Sequence, residues 1–164
     1  MPRRSSSPPA VPALDAGLRL LAVRSHSRQE LRRKLGRRGY ADEEVEVAVG
    51  RLAELGYLDD ASFAAGHVRR RSVTLGPLAL SAELAARGVD REVARQAVAG
   101  LSPAAQLAAA VRLVARQGGR KGTASYKELL DTAGAKLLRR GFSSSVAREA
   151  CRAVWQGTLD TSEP

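Results

Sequence analysis

The sequence predicts an all-α protein built from three tandem three-helix repeats that form an elongated, curved array. Three observations predict this fold class. Hydrophobic residues make up 44% of the 164 residues but aromatic residues only 4%, and a core of Leu, Val and Ala favours helices. Apolar residues recur at helical spacing along most of the chain. One pattern of leucine and glycine also occurs three times, at intervals of 49 and then 53 residues.

The repeated pattern predicts the same helix ending at three places. Each place has a leucine, a glycine and then a larger apolar residue: Leu35, Gly39 and Tyr40; Leu84, Gly88 and Val89; Leu137, Gly141 and Phe142. A left-handed glycine commonly ends a helix, and the residue after it then packs on a residue of the last helical turn. Arg38, Arg87 and Arg140 directly precede the glycines, where a cation suits a helix C-terminus. We therefore predict three equivalent helix ends.

The helix that follows each glycine carries an apolar stripe in the same register. The three stripes are Val45, Ala48, Val49 and Leu52; Ala94, Ala97, Val98 and Leu101; and Ala147, Ala150, Cys151 and Val154. Cys151 holds a position that valine holds in the other copies, so we interpret it as a core residue and not as a nucleophile. It is the single cysteine of the chain, which excludes an internal disulfide and indicates a reducing compartment.

Helix-start signals set the expected boundaries. The predicted repeats span residues 14–57, 58–101 and 102–157, between a disordered tail at 1–13 and a short acidic tail at 158–164, with the last helix reaching Trp155. The start signals are a capping box of Ser27 with Glu30, Pro77, Asp90, Ser102 with Pro103, a capping box of Ser125 with Glu128, and Ser143 or Ser144. The first helices of repeats one and three are expected to bury Leu14, Leu18, Leu21 and Ala22, and Leu107, Ala108, Val111, Val114 and Ala115.

The junction between the first two repeats is the stretch Gly56, Tyr57, Leu58, Asp59 and Asp60. Gly56 suits the left-handed position that ends a helix, and Asp59 can then cap the next helix. Asp60 lies in the first turn, where the helix dipole favours negative charge. Tyr57 and Leu58 are expected to pack between units. With no His, Cys or third carboxylate nearby in sequence, we favour capping over metal binding for the acidic pair.

Several segments match a known family in its own order. They are Arg19–Arg24 (RLLAVR), Ser27–Leu35 (SRQELRRKL), Gly56–Asp60 with Phe63, and Gly76–Pro77 leading to Glu83–Leu84 and Arg87–Gly88. These residues resemble the bacterial RecX regulatory proteins over about residues 14–155, more specifically in the first two repeats than in the third. The family often carries basic residues just after the Gly-Pro pair, whereas this chain has Leu78–Ala82 (LALSA) there.

The resemblance implies both a fold and a function. RecX proteins consist of tandem three-helix repeats, as the periodicity also predicts. The resemblance implies a modulator, usually an inhibitor, of the RecA recombinase in recombination and SOS repair. Such a protein would lie in the groove of the RecA–DNA filament and reduce its ATPase and strand-exchange activity. No catalysis or cofactor is implied.

Positive charge indicates where a polyanionic partner would bind. The net charge is +10, and residues 102–155 hold ten basic and three acidic residues, a net charge of +7. Clustered Arg and Lys neutralise phosphates without regard to base sequence. The predicted RecA or DNA contacts are Arg28, Arg32, Arg33, Arg69, Arg70, Arg71, Arg112, Arg116, Arg120, Lys121, Arg148 and Arg152. Arg112, Arg116 and Arg120 recur every four residues and share one helix face.

Two other classes of function are open to test. A helix, a glycine turn and a second helix are typical of helix-turn-helix DNA-binding regulators. In the first repeat the second of these helices carries Glu43, Glu44 and Glu46, which would repel phosphates, and the chain has no Asn for base readout. An enzyme is not expected, because His26 and His67 lie far apart with no nucleophile or ligand set near them. We expect no metal or cofactor, no membrane span, a cytoplasmic location and a monomer.

Overall fold

The computed structural model describes residues 11–118 and 125–160, and the regular structure within these ranges is helical. The helices are α1 (Ala13–Val23), α2 (Arg28–Arg37), α3 (Asp42–Glu54), α4 (Asp60–Arg71), α5 (Pro77–Ala86), α6 (Arg91–Ala99), α7 (Pro103–Gly118), α8 (Tyr126–Leu129), α9 (Ala135–Arg139) and α10 (Ser144–Asp160). A π-helical segment, Leu130–Gly134, joins α8 to α9, so the three pieces form one helix. The all-α class with tandem three-helix repeats is confirmed.

The described residues form two compact units. The first contains the described residues up to Ala64 together with Leu84–Ala94, and the second contains Ala65–Glu83 and the described residues from Arg95 onward. Each unit has a buried apolar core, centred on Leu31, Leu35, Val49 and Leu52 in the first, and on Val114, Leu137, Phe142 and Cys151 in the second. Because the second repeat contributes to both units, the repeat boundaries expected from the sequence stay predictions.

The predicted glycine helix ends are confirmed by backbone conformation. Gly39, Gly56, Gly88 and Gly141 have φ values of 90°, 78°, 74° and 82°, and no other described residue has a positive φ. The amide of Val89 donates to the carbonyl of Leu84 at 3.1 Å, and the amide of Phe142 donates to that of Leu137 at 3.1 Å. All four of these apolar side chains are buried. Each of these two helix ends is therefore closed by the expected hydrogen bond and apolar contact.

Most predicted helix starts are also confirmed. The Asp59 carboxylate accepts hydrogen bonds from the Ala61 amide at 2.9 Å and from the Ser62 hydroxyl at 2.7 Å. These hydrogen bonds hold the pKa of Asp59 below its usual value, so the carboxylate stays charged at the N-terminus of α4. The other amide-accepting caps are Asp90, Ser102, Ser125 and Ser143, and Pro77 is the first residue of α5.

The predicted capping box at Ser27 is only half formed. The Ser27 hydroxyl accepts a hydrogen bond from the Glu30 amide at 3.0 Å, as a cap should. The Glu30 carboxylate instead contacts the His26 ring at 3.3 Å and the Arg87 guanidinium at 2.7 Å. The sequence did not reveal these partners, because Arg87 is 57 residues away. A charged group that could close a local box is therefore used to hold α2 to the residue that follows α5.

Acidification is expected to destabilise the first unit through His26 and Glu30. Burial lowers the pKa of His26 below the ordinary 6.5. Burial opposes ionisation of Glu30, but the hydrogen bond with His26 and the charges of Arg24 and Arg87 outweigh it and lower its pKa. Both groups bind fewer protons when folded than when unfolded, so their contribution to stability falls as pH drops through the folded-state pKa values.

Urea unfolding of the whole chain, measured at several pH values, tests this expectation. The free energy of unfolding should decline from about pH 7 to about pH 5, where histidine titration dominates over that of carboxylates. In the variant His26→Gln this part of the decline should be smaller. An identical pH profile for the two proteins would contradict the assigned role of His26.

The buried face of α1 differs from the prediction. Its buried residues are Ala13, Ala16 and Gly17, while Leu14, Leu18 and Leu21 are half-buried and Ala22 is exposed. A Cβ atom on Gly17 would lie 2.7 Å from a methyl group of Leu52. Helices α1 and α3 thus approach so closely that small residues take the centre of the contact, and the leucines lie on either side.

Several other burial predictions are corrected by the structure. Leu58 is buried, but Tyr57 is 59% exposed and does not pack in the core. On α7 the buried residues are Ala109, Ala110, Leu113 and Val114, whereas Ala108 and Ala115 are exposed. The α7 sequence is apolar at nearly every position from Pro103 to Val114, so its periodicity did not fix the buried face. In the second repeat only Ala94 of the stripe is buried, and Ala97, Val98 and Leu101 are half-buried.

Both ends of the described chain depart from the expected boundaries. Ala13 is already helical and buried, and the Tyr40 hydroxyl donates to the carbonyl of Val11 at 2.8 Å. Residues 11–13, assigned to the tail by the sequence, therefore contact the first unit, and residues 1–10 lie outside the described residues. At the other end α10 continues through Gly157 to Asp160, because one helical glycine costs only about 1 kcal/mol relative to alanine.

Successive repeats are joined by a recurring contact, which we call the helix-stop contact. The Ser27 hydroxyl, just before α2, donates to the carbonyl of Arg87 at 2.6 Å. At the equivalent place before α5, the amide of Gly76 donates to the carbonyl of Arg140 at 2.8 Å. In both cases the start of the middle helix of one repeat binds the arginine before the stop glycine of the next. The same register is therefore used twice, once with a side-chain donor and once with a backbone donor.

Cys151 is buried in the core of the second unit with no exposed surface, as predicted. Burial raises the pKa of its thiol, which lowers the fraction of reactive thiolate. We expect the folded protein to react with Ellman's reagent at least about tenfold more slowly than the same protein in urea. Equal rates in the folded and unfolded proteins would show that this part of the core opens freely.

Metal sites and membrane-spanning helices were both looked for in the described ranges of the chain. In the part of the chain that the structure describes, no group of three or more His, Cys, Asp or Glu side chains is placed to hold a metal ion. In the same ranges no single helix is both long and apolar enough to cross a membrane. One pair of helices bent by 80°, Arg91–Ala99 and Pro103–Arg116, has the length and composition of a membrane span when the two are taken together.

Candidate partner-binding surface

The strongest positive charge lies on the third repeat, and α7 presents part of it. Arg112 and Arg116 are both exposed and lie four residues apart on one helix face. The opposite face of α7 packs through Ala109, Ala110 and Val114 into the core of the second unit. Because one face of α7 packs in the core, its opposite face, with both arginines, is exposed to solvent.

Helix α10 presents a second exposed pair of arginines, Arg148 and Arg152. They also lie four residues apart, on the side of α10 opposite Ala150 and Cys151, which are buried. In the described part of the chain no ion pair involves these two residues or the α7 pair, whereas Arg24, Arg32, Arg51, Arg71 and Arg87 all bind carboxylates. The four arginines on α7 and α10 are therefore available to an anionic partner.

The run Arg69–Arg71 is divided by its contacts. Arg69 and Arg70 are exposed, but Arg71 binds the Glu83 carboxylate at 2.9 Å. The hydrogen bond from Arg71 holds the pKa of Glu83 below its usual value, and the His67 ring contacts the same carboxylate at 2.7 Å. Arg71 thus joins α4 to α5, and only the first two arginines of the run remain free of an ion pair among the described residues.

Two of the three candidate arginines on α2 form hydrogen bonds within the protein. Arg32 forms two hydrogen bonds with Glu46 of α3, at 2.7 and 3.0 Å. Arg33 donates to the carbonyl of Ala86 at 3.2 Å. Arg28 is exposed, and its backbone amide binds Asp60 at 2.9 Å. Of these three side chains, Arg28 is therefore the one best placed to meet a partner.

The remaining candidates, Arg120 and Lys121, lie outside the described residues. Sequence reasoning missed Glu46 and Glu83, which neutralise two of the candidate arginines. These partners lie 14 and 12 residues from Arg32 and Arg71, on a different helix in each case. Helical periodicity within one segment carries no signal for such pairs, so only the packing of two helices reveals them.

Comparison with known proteins assigns the family. The family model described as "RecX, first three-helix domain" matches residues 13–52. The family model described as "RecX, second three-helix domain" matches residues 59–98. The chain is 41% identical over 135 residues to "Regulatory protein RecX" of Mycobacterium ulcerans (strain Agy99), an alignment covering 80% of this chain and 78% of that protein. The chain belongs to the RecX family.

Other RecX proteins show the same likeness. "Regulatory protein RecX" of Thermus thermophilus is 39% identical over 140 residues, covering 85% of this chain and 90% of that protein. The crystal structure of RecX from Lactobacillus salivarius superposes with a TM-score of 0.79 at 22% identity, covering 88% of this chain and 95% of that one. At such low identity the superposition supports the fold alone.

Proposed function

We propose that the chain is a non-enzymatic regulator of the RecA recombinase, acting as an inhibitor in recombination and SOS repair. It binds in the groove of the RecA–DNA filament and reduces ATPase and strand-exchange activity. Membership of a family whose relatives are named regulatory proteins supports the regulatory role. The observation that supports the binding mode is the set of four exposed arginines on α7 and α10, which have no ion pair among the described residues.

The physical basis of the proposal is neutralisation of phosphate. A guanidinium that already binds a carboxylate gains little by exchanging it for a phosphate, but an unpaired one gains a charge-assisted hydrogen bond. Each phosphate contact also releases condensed counterions, which makes binding weaken as salt rises. Arginines spread over two helices suit an extended polyanion such as filament-bound DNA, and acidic protein surface of the filament would also bind them.

The proposal is tested by the ATPase of the filament. Purified protein is added in increasing amounts to RecA, single-stranded DNA and ATP, and phosphate release is followed. We expect the rate to fall at amounts well below one protein per RecA subunit, because one bound regulator would restrain several neighbouring subunits. An unchanged rate over the whole titration, with the protein shown to be folded by circular dichroism, would contradict the proposal.

A second candidate function is direct DNA binding by a helix-turn-helix-like unit. The exposed Arg148 and Arg152 on α10 favour it in the third repeat, whereas Glu43 and Glu44 on α3 oppose it in the first. Binding to naked duplex oligonucleotides of several sequences, with and without RecA, distinguishes the two. Sequence-dependent affinity without RecA would favour the DNA-binding regulator, and affinity that rises with RecA filament would favour the first proposal.

The two histidines support the absence of catalysis in this proposal. His26 and His67 are buried, and each contacts a glutamate, Glu30 at 3.3 Å and Glu83 at 2.7 Å. Both glutamates also bind arginine, so the two clusters hold helices together in the manner of structural ion-pair networks. A cytoplasmic location and a monomeric state belong to the same proposal, and ATP hydrolysis by the purified protein alone would contradict it.

A further inference from the structure

In the first repeat an ion pair spans the surface between the middle and last helices. Arg32 on α2 binds Glu46 on α3 through two parallel hydrogen bonds, at 2.7 and 3.0 Å. This geometry matches the planar guanidinium to both carboxylate oxygens. The hydrogen bond raises the pKa of Arg32 and lowers that of Glu46, so both side chains stay charged. The pair thus bridges α2 and α3 on the surface of the first repeat.

The third repeat lacks this pair at the same two positions. Leu31 and Ala133 are equivalent, so the residue that follows, Arg32, is replaced by Gly134. Val45 and Ala147 are equivalent, so Glu46 is replaced by Arg148. Gly134 has no side chain to form an ion pair, and Arg148 carries a positive charge where Glu46 carries a negative one. These two residues therefore cannot form the ion pair.

A groove of about 290 Å³ occupies the place of the missing pair. The π-helical segment and α9 form one wall and α10 forms the other; the lining residues are Leu130, Asp131, Gly134, Ala135, Leu138, Ser144, Ala147 and Arg148. The π-helical turn itself is a rare conformation, and such turns occur often at functional sites. The groove lies entirely within the second unit.

The groove offers apolar surface to a partner. Leu138 is 50% exposed and lines the groove. Its equivalents in the other repeats are Gly36 and Ala85, so only the third repeat places a large apolar side chain there. Together with Leu130 and Ala135 it makes an apolar face against which one aliphatic side chain of a partner would be buried.

The charge around the groove selects the sign of the partner. Arg148 forms no ion pair in the described ranges, and Asp131 is the one acidic residue of the lining. The other exposed charged residues of these helices are the basic Lys127, Lys136, Arg139 and Arg152 and the acidic Glu128 and Glu149, so basic residues remain in excess. A carboxylate that entered the groove would meet Arg148 at the position where Glu46 meets Arg32 in the first repeat. A ligand that pairs with Arg148 in this groove must therefore carry an acidic group.

We propose that this groove binds an acidic segment of a partner protein. The segment inserts one leucine-sized side chain against Leu138 and presents a carboxylate to Arg148. The site goes beyond the proposed function: Arg148 is one of the four arginines proposed to bind the filament, but here it acts together with the apolar groove and needs neither DNA nor RecA. It differs from the arginine pair on α7 in demanding an apolar anchor beside the negative charge, which a nucleic-acid backbone does not supply.

The test uses the full chain labelled with ¹⁵N and a short synthetic peptide of Glu and Leu. A second peptide with Gln in place of Glu, and a third with Ser in place of Leu, separate the two parts of the recognition. We expect saturable amide shifts at Gly134, Ala135, Leu138 and Arg148 with the first peptide. Affinity for the second and third peptides should be weaker by about tenfold or more.

Matched substitutions distinguish the groove from general electrostatic attraction. Arg148→Gln should weaken binding of the Glu–Leu peptide about tenfold, and Arg152→Gln, one turn further along α10 and outside the groove, should have little effect. Leu138→Ala should weaken it similarly, and Leu78→Ala, at another exposed leucine, should not. Because all four residues are exposed, each variant should keep its helicity.

Four results would overturn the proposal. Absence of saturable shifts would show that no site exists, and equal losses for Arg148→Gln and Arg152→Gln would reduce it to net charge. A short duplex that shifted the same amides with higher affinity than the peptide would assign the groove to phosphate. Concentration-dependent shifts at these residues without any peptide would assign it to a second copy of the chain.

Discussion

Replacing Gly141 with alanine is expected to destabilise the protein strongly, while the same replacement at Gly56 should have a much smaller effect. Both glycines have a left-handed backbone, with φ values of 82° and 78°, so alanine costs roughly 1–2 kcal/mol at either site. A Cβ atom on Gly141 would also lie within 3.0 Å of three atoms of Ala79, whereas one on Gly56 would meet nothing within 4 Å. The backbone of the helix-stop contact must therefore move, which adds about 1–3 kcal/mol.

Urea unfolding followed by far-ultraviolet circular dichroism measures the difference. The midpoint should fall further for Gly141→Ala than for Gly56→Ala. Gly76→Ala provides an independent check, because Gly76 has an ordinary φ but its Cβ atom would overlap the Gly141 carbonyl and the Phe142 amide. Equal midpoints for Gly141→Ala and Gly56→Ala would mean that the contact between the start of α5 and the end of α9 contributes nothing to stability.

Reversing the charge of Arg112 and Arg116 together is expected to weaken binding to the RecA–DNA filament by at least about tenfold. Two phosphate contacts are lost and two repulsive charges are added on one exposed helix face. Fluorescence anisotropy of the labelled protein on preformed filament measures the affinity. The slope of log affinity against log salt concentration should become shallower by about 2, because two phosphate contacts are lost. Helicity should be unchanged, since neither side chain packs in the core.

A control with the same change in net charge makes this result specific. Arg19 on α1 and Arg37 on α2 are exposed residues of the first repeat that form no ion pair among the described residues. Their double reversal to Glu should reduce affinity much less. Equal losses for the two double variants would show that net charge alone drives binding, and an unaffected Arg112/Arg116 variant would place the contact surface elsewhere.

Local features of the fold could be predicted because their causes are local. A stop glycine needs only its own backbone freedom, and a cap such as Asp59 or Asp90 needs only the amides of the next turn. The stripes on α3 and α10 followed the helical period because polar residues separate their apolar positions. On α7 that separation is missing, so the sequence placed Ala108 and Ala115 in the core while the structure exposes them.

The candidate surface was predictable in location but not in detail. Counting charges placed the positive pole on the third repeat, where the structure exposes Arg148 and Arg152. Counting could not show that Arg32 and Arg71 are neutralised by acids on neighbouring helices. The open groove beside Leu138 could not be predicted either, because the Arg32–Glu46 pair at the equivalent place in the first repeat and the π-helical turn are seen only in the structure.

The sequence by itself determined the helical class, the threefold repetition and the helix ends, since each depends on residues within one or two turns of each other. Tertiary structure decided which face of α1 and α7 is buried, which arginines stay free, and how one repeat holds the next. Those outcomes depend on contacts such as Ser27 with Arg87 and Gly76 with Arg140, between residues 60 and 64 positions apart. Side chains and backbone groups so far apart in the chain acquire partners only when the helices pack.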